Sequence, residues 1–418
     1  MIAKLRYYLS RNPAFSFVRR MVGAYRRKAY DYKVARFLKD RTGRADRLPQ
    51  GAVYEGTMRC NLHCGFCWVG DLLNLEGEWQ KELSLDTLRS AFPNKVGFQI
   101  NLTGGEIFMR KDIFDVLKLF KTKGYSCGYL TTNGTIIDDT RADALAALAQ
   151  VGFLKHVSIS VDGPKDIHDD ARGAKGTFDR TAAGLRRLQQ AVERNGGTHL
   201  PISINTTVTH EGLDALDRMV DVAEELGVDA IGLNHLMYST PEEVNETLRL
   251  LGEDDPALIQ TYVTPDPGLN PEVVRQKISA LATKCQDANI RFGSRPQISD
   301  AVLKHYYEPG GRVEGRCLYP FLKARVSPSG KMYFCPLIRI EVGDLTENSM
   351  EEIWNNERYV NLRRRLLDNT LFPVCQRCCK VELYPDQAVQ PEVESLTNSL
   401  ALPVADESGA SRSAGSLT

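Results

Sequence analysis

The sequence predicts an α/β chain organised on a parallel sheet, and two observations carry that expectation. Between about residues 52 and 235, six short runs rich in β-branched and aromatic residues alternate with longer stretches of helical period. Beyond that region the alternation gives way to an irregular, cysteine-rich segment. A repeated strand-then-helix unit is the pattern of parallel strands joined by crossover helices. Strands are expected at Val53 to Thr57, Phe98 to Thr103, Cys127 to Thr132, His156 to Val161, Ile202 to Thr209 and Ala230 to Leu233. Helices are expected at about 84 to 92, 111 to 123, 139 to 150, 177 to 193 and 213 to 226. A closed barrel of this kind takes eight units, so six leave it two short, and reactive groups gather at the C-terminal strand ends.

Composition narrows the function classes. The chain has 418 residues, 42% apolar and 25% charged, which is ordinary globular composition. Its apolar runs fall short of the roughly 20 residues that span a bilayer. No apolar stretch near Met1 is followed by a small-residue cleavage site, so the chain is expected to be cytoplasmic. Ten cysteines in such a chain point to thiolate ligands and away from a disulfide framework. Eight of them fall into two groups, and Cys127 and Cys285 stand apart as ordinary core or surface thiols.

Net charge is zero overall, yet residues 1–47 hold fourteen Lys or Arg against three Asp. Aromatics such as Tyr7, Phe15 and Tyr25 are interleaved with those bases. The segment reads as a basic helical extension whose rings pack and whose charges are solvated. It leaves peripheral membrane contact through residues 1–47 open, and with no recognisable module beside it, no nucleic-acid partner is expected.

The first expected strand runs into Cys60-Asn61-Leu62-His63-Cys64-Gly65-Phe66-Cys67. A structural zinc site usually closes with four protein ligands, whereas this loop offers three thiolates. A cubane iron-sulfur cluster held by three thiolates keeps one iron open for a cofactor or substrate.

This Cys-x3-Cys-x-aromatic-Cys spacing resembles the signature of the radical S-adenosylmethionine (SAM) superfamily. The resemblance implies a partial (β/α)6 TIM-like barrel over residues 48–240, open on one side. It also implies that Cys60, Cys64 and Cys67 hold a SAM-binding [4Fe-4S] cluster. One electron from that cluster would cleave SAM to methionine and a 5′-deoxyadenosyl radical, with an external donor such as flavodoxin or ferredoxin supplying the electron.

Later strand ends carry groups that the same resemblance assigns to SAM. Thr103-Gly104-Gly105-Glu106 resembles the motif whose backbone and carboxylate hold the SAM ammonium, two glycines allowing close backbone approach. Phe66 is implied as a further cofactor contact. Ser160 is implied at the ribose and Arg172 at the carboxylate, for which a guanidinium fork is suited. Thr131-Thr132-Asn133-Gly134 reads equally as a turn or as part of the pocket, while Asp162 and His168 read as structural. Asn205, Asn234 and His235 point toward the same rim.

The second cysteine group begins with Cys317, then Gly330 and Cys335, in the spacing of a SPASM domain. Ser327-Pro328-Ser329-Gly330-Lys331 reads as a hairpin turn between two short strands, followed by a helix around Met350 to Leu367 and then Cys375-Gln376-Arg377-Cys378-Cys379. The resemblance implies a small cysteine-rich α+β domain over residues 313–385. Seven cysteines would hold two auxiliary clusters, but no cysteine follows Cys379. One auxiliary [4Fe-4S] cluster on Cys317, Cys335, Cys375 and Cys378 is expected, with four-thiolate zinc as the alternative. Cys379 is read as a buried neighbour, a replacement for Cys378, or a hydrogen donor. Residues 241–312 are expected to be a linker with a helix near 271–289, and residues 386–418 a disordered tail.

These readings converge on a radical SAM enzyme that takes hydrogen from a small-molecule or natural-product substrate. A ribosomal-peptide-modifying enzyme is the alternative, and a non-catalytic iron-sulfur or zinc scaffold the alternative from another class.

Overall fold

Six strands form where β-branched runs expose one edge to hydrogen bonding and bury their apolar alternates. They are β1 (Gly51–Glu55), β2 (Gln99–Thr103), β3 (Ser126–Thr132), β4 (Val157–Ser160), β5 (Ile202–Thr207) and β6 (Ala230–Asn234). The chain is seen here as a computed structural model describing residues 41–383 except 46, 78–80, 95–96, 197–199 and 309. Most of the basic extension at 1–47 and the whole tail at 386–418 lie outside the described residues.

Helices α1 (Leu85–Ala91), α2 (Ile113–Thr122), α3 (Asp139–Gln150), α4 (Lys165–Ala171), α5 (Thr177–Arg194) and α6 (Met219–Glu225) connect these strands. Five fall where helical periodicity places them. The short α4 is additional: its sequence is mostly polar and buries only His168, so it lacks an apolar stripe. Ser84 caps α1 by accepting from the Thr87 N–H, and Asp138 caps α3 by accepting from the Arg141 N–H.

Beyond β6 come α7 (Pro241–Leu251), α8 (Pro271–Asp287), β7 (Arg291–Arg295) and α9 (Asp300–Tyr307). The cysteine-rich part adds β8 (Lys323–Val326), β9 (Lys331–Tyr333), β10 (Glu341–Asp344), α10 (Met350–Trp354) and α11 (Glu357–Asn369). The single helix expected over 350–367 is two, because Asn356 leaves helical geometry and caps α11 by accepting from the Tyr359 N–H.

One sheet of ten strands runs through both parts, in the order β10-β9-β8-β1-β2-β3-β4-β5-β6-β7. From β8 to β7 every neighbouring pair is parallel, so β8 and β7 occupy the two positions that six units leave vacant. The ends of this parallel set do not pair with one another, and the hairpin β8-β9-β10 turns away antiparallel. This is a partial TIM-like barrel with a gap on one side. The segment read as a linker thus supplies a wall strand, and the SPASM-type hairpin extends the same sheet.

Helix-facing residues form the core. Tyr54, Phe92 and Phe120 are fully buried and meet edge to face, with centroids 5.1 to 6.2 Å apart. On the inner face a closed barrel is usually filled by Val, Ile and Leu. Here Ser158, Ser160, Ser203, Asn205 and Gly232 face inward, alternating with the buried Val157, Ile159 and Ile204. Small polar side chains leave room, and a cavity of about 590 Å³ results. Among the described residues no helix is long and apolar enough to cross a membrane.

Candidate active site

The loop from Cys60 to Cys67 follows β1 and is pinned from several sides. Asn74 brackets Cys60, accepting from its N–H at 2.9 Å and donating to its carbonyl at 2.9 Å. Asn61 donates to Thr135 Oγ1 and accepts from Asn133 Nδ2, both at 2.9 Å. The His63 N–H donates to the Arg172 carbonyl at 3.4 Å. The end of β3 and the C-terminal end of α4 therefore hold the loop that β1 delivers. All three thiols are partly exposed, and Cys64 and Cys67 face the cavity.

Gly104 and Gly105 press directly on the approach to this loop. The Gly105 N–H donates to the Thr57 carbonyl and the Glu106 N–H to the Arg59 carbonyl, each at 2.8 Å. A Cβ on Gly104 would lie 2.3 Å from the Thr57 oxygen, and one on Gly105 would lie 2.3 Å from the Arg59 oxygen. Gly104 also has φ +151°, so glycine is required there twice over.

Glu106 is buried, and its carboxylate accepts from Thr132 Oγ1 and the Asn133 N–H at 2.7 Å and from the Phe108 N–H at 3.2 Å. Burial pushes its pKa up against these three donors, and the group ties the end of β2 to that of β3.

Arg172, at the C-terminal end of α4, connects the loop to β4. Its guanidinium pairs with the buried Asp162 carboxylate, donates from Nη1 to Cys64 Sγ at 3.6 Å and lies 5.5 Å over the Phe66 ring. Asp162, read from sequence as structural, positions Arg172 and also accepts from the Thr207 N–H at 3.0 Å. His168 Nδ1 accepts from the Asp162 N–H at 3.2 Å, and burial lowers its pKa to about 4, so the ring is neutral. Ser160 and Asn205 face the cavity beside Arg172. His235 also faces it while its Nδ1 meets the Tyr307 hydroxyl at 2.8 Å, and burial lowers its pKa to about 3.

The second cysteine group lies across the cavity. Cys317 precedes the helical turn leading into β8, Cys335 ends the hairpin, and Cys375 and Cys378 lie on a 3₁₀ turn. Cys335 Sγ accepts from the Ile338 N–H at 3.2 Å. Burial pushes Cys317 up to about 12 and Cys335 up to about 11. Cys375 is raised further by burial and then by charge on Cys317 and Cys335. In Cys378 the Cys379 contact raises the pKa first, followed by burial. Charge on Cys317 and Cys335 disfavours ionisation of Cys375 and Cys378, and a shared cation would reverse that preference. Cys378 and Cys379 also line the cavity, and Cys379 lies against Met237, whose sulfur accepts from its N–H at 3.5 Å. Cys127 and Cys285 are core residues.

Among the described residues no group of three or more His, Cys, Asp or Glu converges in metal-coordinating geometry. The cysteine loops nevertheless have the donor chemistry for iron-sulfur clusters, thiol sulfur, and Arg172 supplies a hydrogen-bond donor to one thiol.

Sequence reasoning passed over Glu55, Arg325 and Arg339, a buried charged group, and the cavity cations Arg291, Arg295 and Lys380. Arg291 and Arg295 lie in Arg-Phe-Gly-Ser-Arg, a run without a β-branched residue, so no strand pattern marked them.

Comparison with known proteins matches this architecture. Residues 54–223 match the radical SAM superfamily and residues 317–379 the SPASM iron-sulfur cluster-binding domain. Fold and site together define a radical SAM enzyme. The chain carries a radical SAM domain and a C-terminal SPASM domain, which implies a SAM-binding cluster and auxiliary iron-sulfur binding. It is similar to the AdoMet-dependent heme synthase of Methanosarcina barkeri, 26% identical over 74% of this chain and 82% of that protein. It is also similar to the PqqA peptide cyclase of Streptomyces rochei, 25% identical over 76% and 78%. Streptococcus suis SuiB bound to precursor peptide SuiA shares the fold, with TM-score 0.53 and 15% identity over 79% of this chain and 70% of that one.

Proposed function

We propose that this radical SAM/SPASM enzyme modifies a peptide. The observation that carries the reading is β7. Among the described residues it pairs with β6 alone, and all five of its residues line the cavity. A strand with an unpaired edge at a cavity mouth offers an extended peptide backbone hydrogen bonds while side chains reach the interior. Similarity to a peptide cyclase agrees with this reading. It moves the weight away from the small-molecule substrate expected from the sequence.

Cys60, Cys64 and Cys67 would hold the SAM-binding [4Fe-4S] cluster, and Cys317, Cys335, Cys375 and Cys378 one auxiliary cluster. A cluster on the first set supplies the electron for reductive SAM cleavage, delivered by an external donor such as flavodoxin or ferredoxin. Gly104 and Gly105 bring the β2 backbone against the cysteine loop, and Glu106 holds the adjoining strand end in place. Arg172, kept charged and oriented by Asp162, takes the SAM carboxylate beside Phe66, and Ser160 takes the ribose. The inward SPASM face narrows the cavity and limits water during hydrogen abstraction.

A second reading, action on a tetrapyrrole, is favoured by the similarity to AdoMet-dependent heme synthase. Reconstituted enzyme should be incubated anaerobically with SAM and dithionite, either with a synthetic library of extended peptides or with coproporphyrin III. Peptide-dependent 5′-deoxyadenosine and a peptide mass shift support the first reading. Product formation from the porphyrin alone would replace it with the second.

A further inference from the structure

The cavity wall has an unusual charge balance. Arg172, Arg291, Arg295, Arg325 and Lys380 all line it, and no Asp or Glu does. Three of these five have a carboxylate partner: Arg172 pairs with Asp162, Arg291 with Asp229 at 2.9 Å, and Arg325 with Glu55 at 2.7 Å. Arg295 and Lys380 have none among the described residues. Lys380 instead contacts the Cys379 thiol.

Arg295 and Lys380 both flank the segment that follows β6: the His235 N–H donates to the Arg295 carbonyl at 3.0 Å, and the Met237 sulfur accepts from the N–H of Cys379, next to Lys380, at 3.5 Å. Arg295 ends β7, the last strand of the parallel set, and Lys380 follows the SPASM cysteines. The charge of Cys379 acts first on Lys380, and those of Tyr129 on β3 and of Arg295 act more weakly. His156 responds to the same field: burial first, then the charges of Arg295 and Arg291, push its pKa down. Arg295 has no carboxylate counter-charge among the described residues, and an incoming anion gains charge-assisted hydrogen bonds there. A guanidinium fork and an ammonium lining one cavity suit the two oxygens of one carboxylate.

We propose that Arg295 and Lys380 form a carboxylate-binding site that selects a peptide carrying an Asp or Glu side chain near the position to be modified. In naming an acidic peptide the inference rests on the peptide reading above. Anchoring there also places the substrate in the cavity that Cys64, Cys67, Cys378 and Cys379 line.

The test uses full-length reconstituted enzyme with SAM bound and no reductant. Fluorescence anisotropy is measured with pools of coumarin-labelled, amidated heptapeptides that differ only in Glu or Gln at the central position. Coproporphyrin III and a Gln pool with free C-termini are run in parallel. The expected result is binding of the Glu pool roughly tenfold tighter than the amidated Gln pool, the scale of a charged hydrogen bond. That preference should vanish in Arg295→Gln and in Lys380→Gln, return in Arg295→Lys, and weaken with salt, at unchanged iron content per chain.

Equal binding of the two pools, or a preference that survives both substitutions, overturns the carboxylate site and leaves the peptide reading standing. A gain confined to the free C-terminus overturns the side-chain assignment. Porphyrin binding that depends on Arg295, with no peptide bound, overturns the peptide reading and the acidic peptide with it. Absence of any carboxylate-dependent binding overturns the proposal.

Discussion

The Glu55 carboxylate accepts a hydrogen bond from Arg325 Nε at 2.7 Å across the seam where β1 of the barrel pairs with β8 of the SPASM part. Arg339 closes the group, donating to both Glu55 oxygens at 2.9 and 3.0 Å. All three residues are buried, and Arg325 lies 5.4 Å over the ring of Trp68, immediately after Cys67. One carboxylate thus joins the end of β1, the cysteine loop and the hairpin.

Replacing Glu55 with Gln leaves two buried guanidinium groups without their counter-charge. A loss of about 3–5 kcal/mol is expected, the usual effect of removing one partner from a buried ionic group. Urea unfolding of the variant measures it, and a loss below about 1 kcal/mol would show that water or movement compensates.

Burial alone would raise the Glu55 pKa, but Arg325 and Arg339 outweigh it and hold the group below the usual carboxylate range. Its contribution is therefore present above the unfolded pKa and is lost as pH falls through the lower folded value. His168 and His235 act at higher pH. Burial lowers them from 6.5 to about 4 and about 3, so the unfolded chain binds their protons first on acidification. Stability should fall as pH drops from about 6.5 to 4, by up to about 1.4 kcal/mol per pH unit for each histidine. In His235→Gln the slope measured by denaturant titration should drop by the share of one histidine, up to about 1.4 kcal/mol per pH unit; an unchanged slope would remove His235 from the account.

Gly105→Ala would place a methyl group 2.3 Å from the Arg59 carbonyl oxygen and 3.2 Å from Cys60 Cβ. Backbone on both sides resists such a shift, so the cysteine loop should move. Iron bound at Cys60, Cys64 and Cys67 should drop while iron at the SPASM cysteines stays, read by Mössbauer spectroscopy against Cys375→Ala as the reverse case. Full iron at both sites in Gly105→Ala would contradict the close-approach argument.

Arg172→Lys keeps a positive charge but loses the fork that spans Asp162 and Cys64. SAM affinity should fall about 10- to 100-fold, the range for charge-assisted hydrogen bonds, when measured by equilibrium dialysis. Wild-type affinity would remove Arg172 from the SAM site.

Much of this was readable because the barrel strands advertise themselves. Runs such as Val157-Ser158-Ile159-Ser160 encode both the strand and its polar inner face. The hairpin at Gly330 was equally legible, and its φ of +93° explains the glycine. β7 was not legible, since Arg-Phe-Gly-Ser-Arg has no β-branched residue and a single large apolar one. The capping box of Thr240 and Glu243 with Pro241 marks α7 and was there to be read, but Pro, Asp and Gly clusters nearby read as loop. Pairing of β1 with β8 depends on contacts some 270 residues apart, as does the Glu55–Arg325 bond. Local pattern carries no information about such partners.

The central claim is that the Cys60, Cys64 and Cys67 loop supports reductive SAM cleavage. The direct measurement is chromatographic detection of 5′-deoxyadenosine after anaerobic reconstitution, reduction and addition of SAM, in the wild-type chain and in the variant with all three cysteines changed to Ala. The expected result is 5′-deoxyadenosine from the wild type and none from the variant, whose SPASM site keeps its iron. Equal formation by both chains would contradict the assignment.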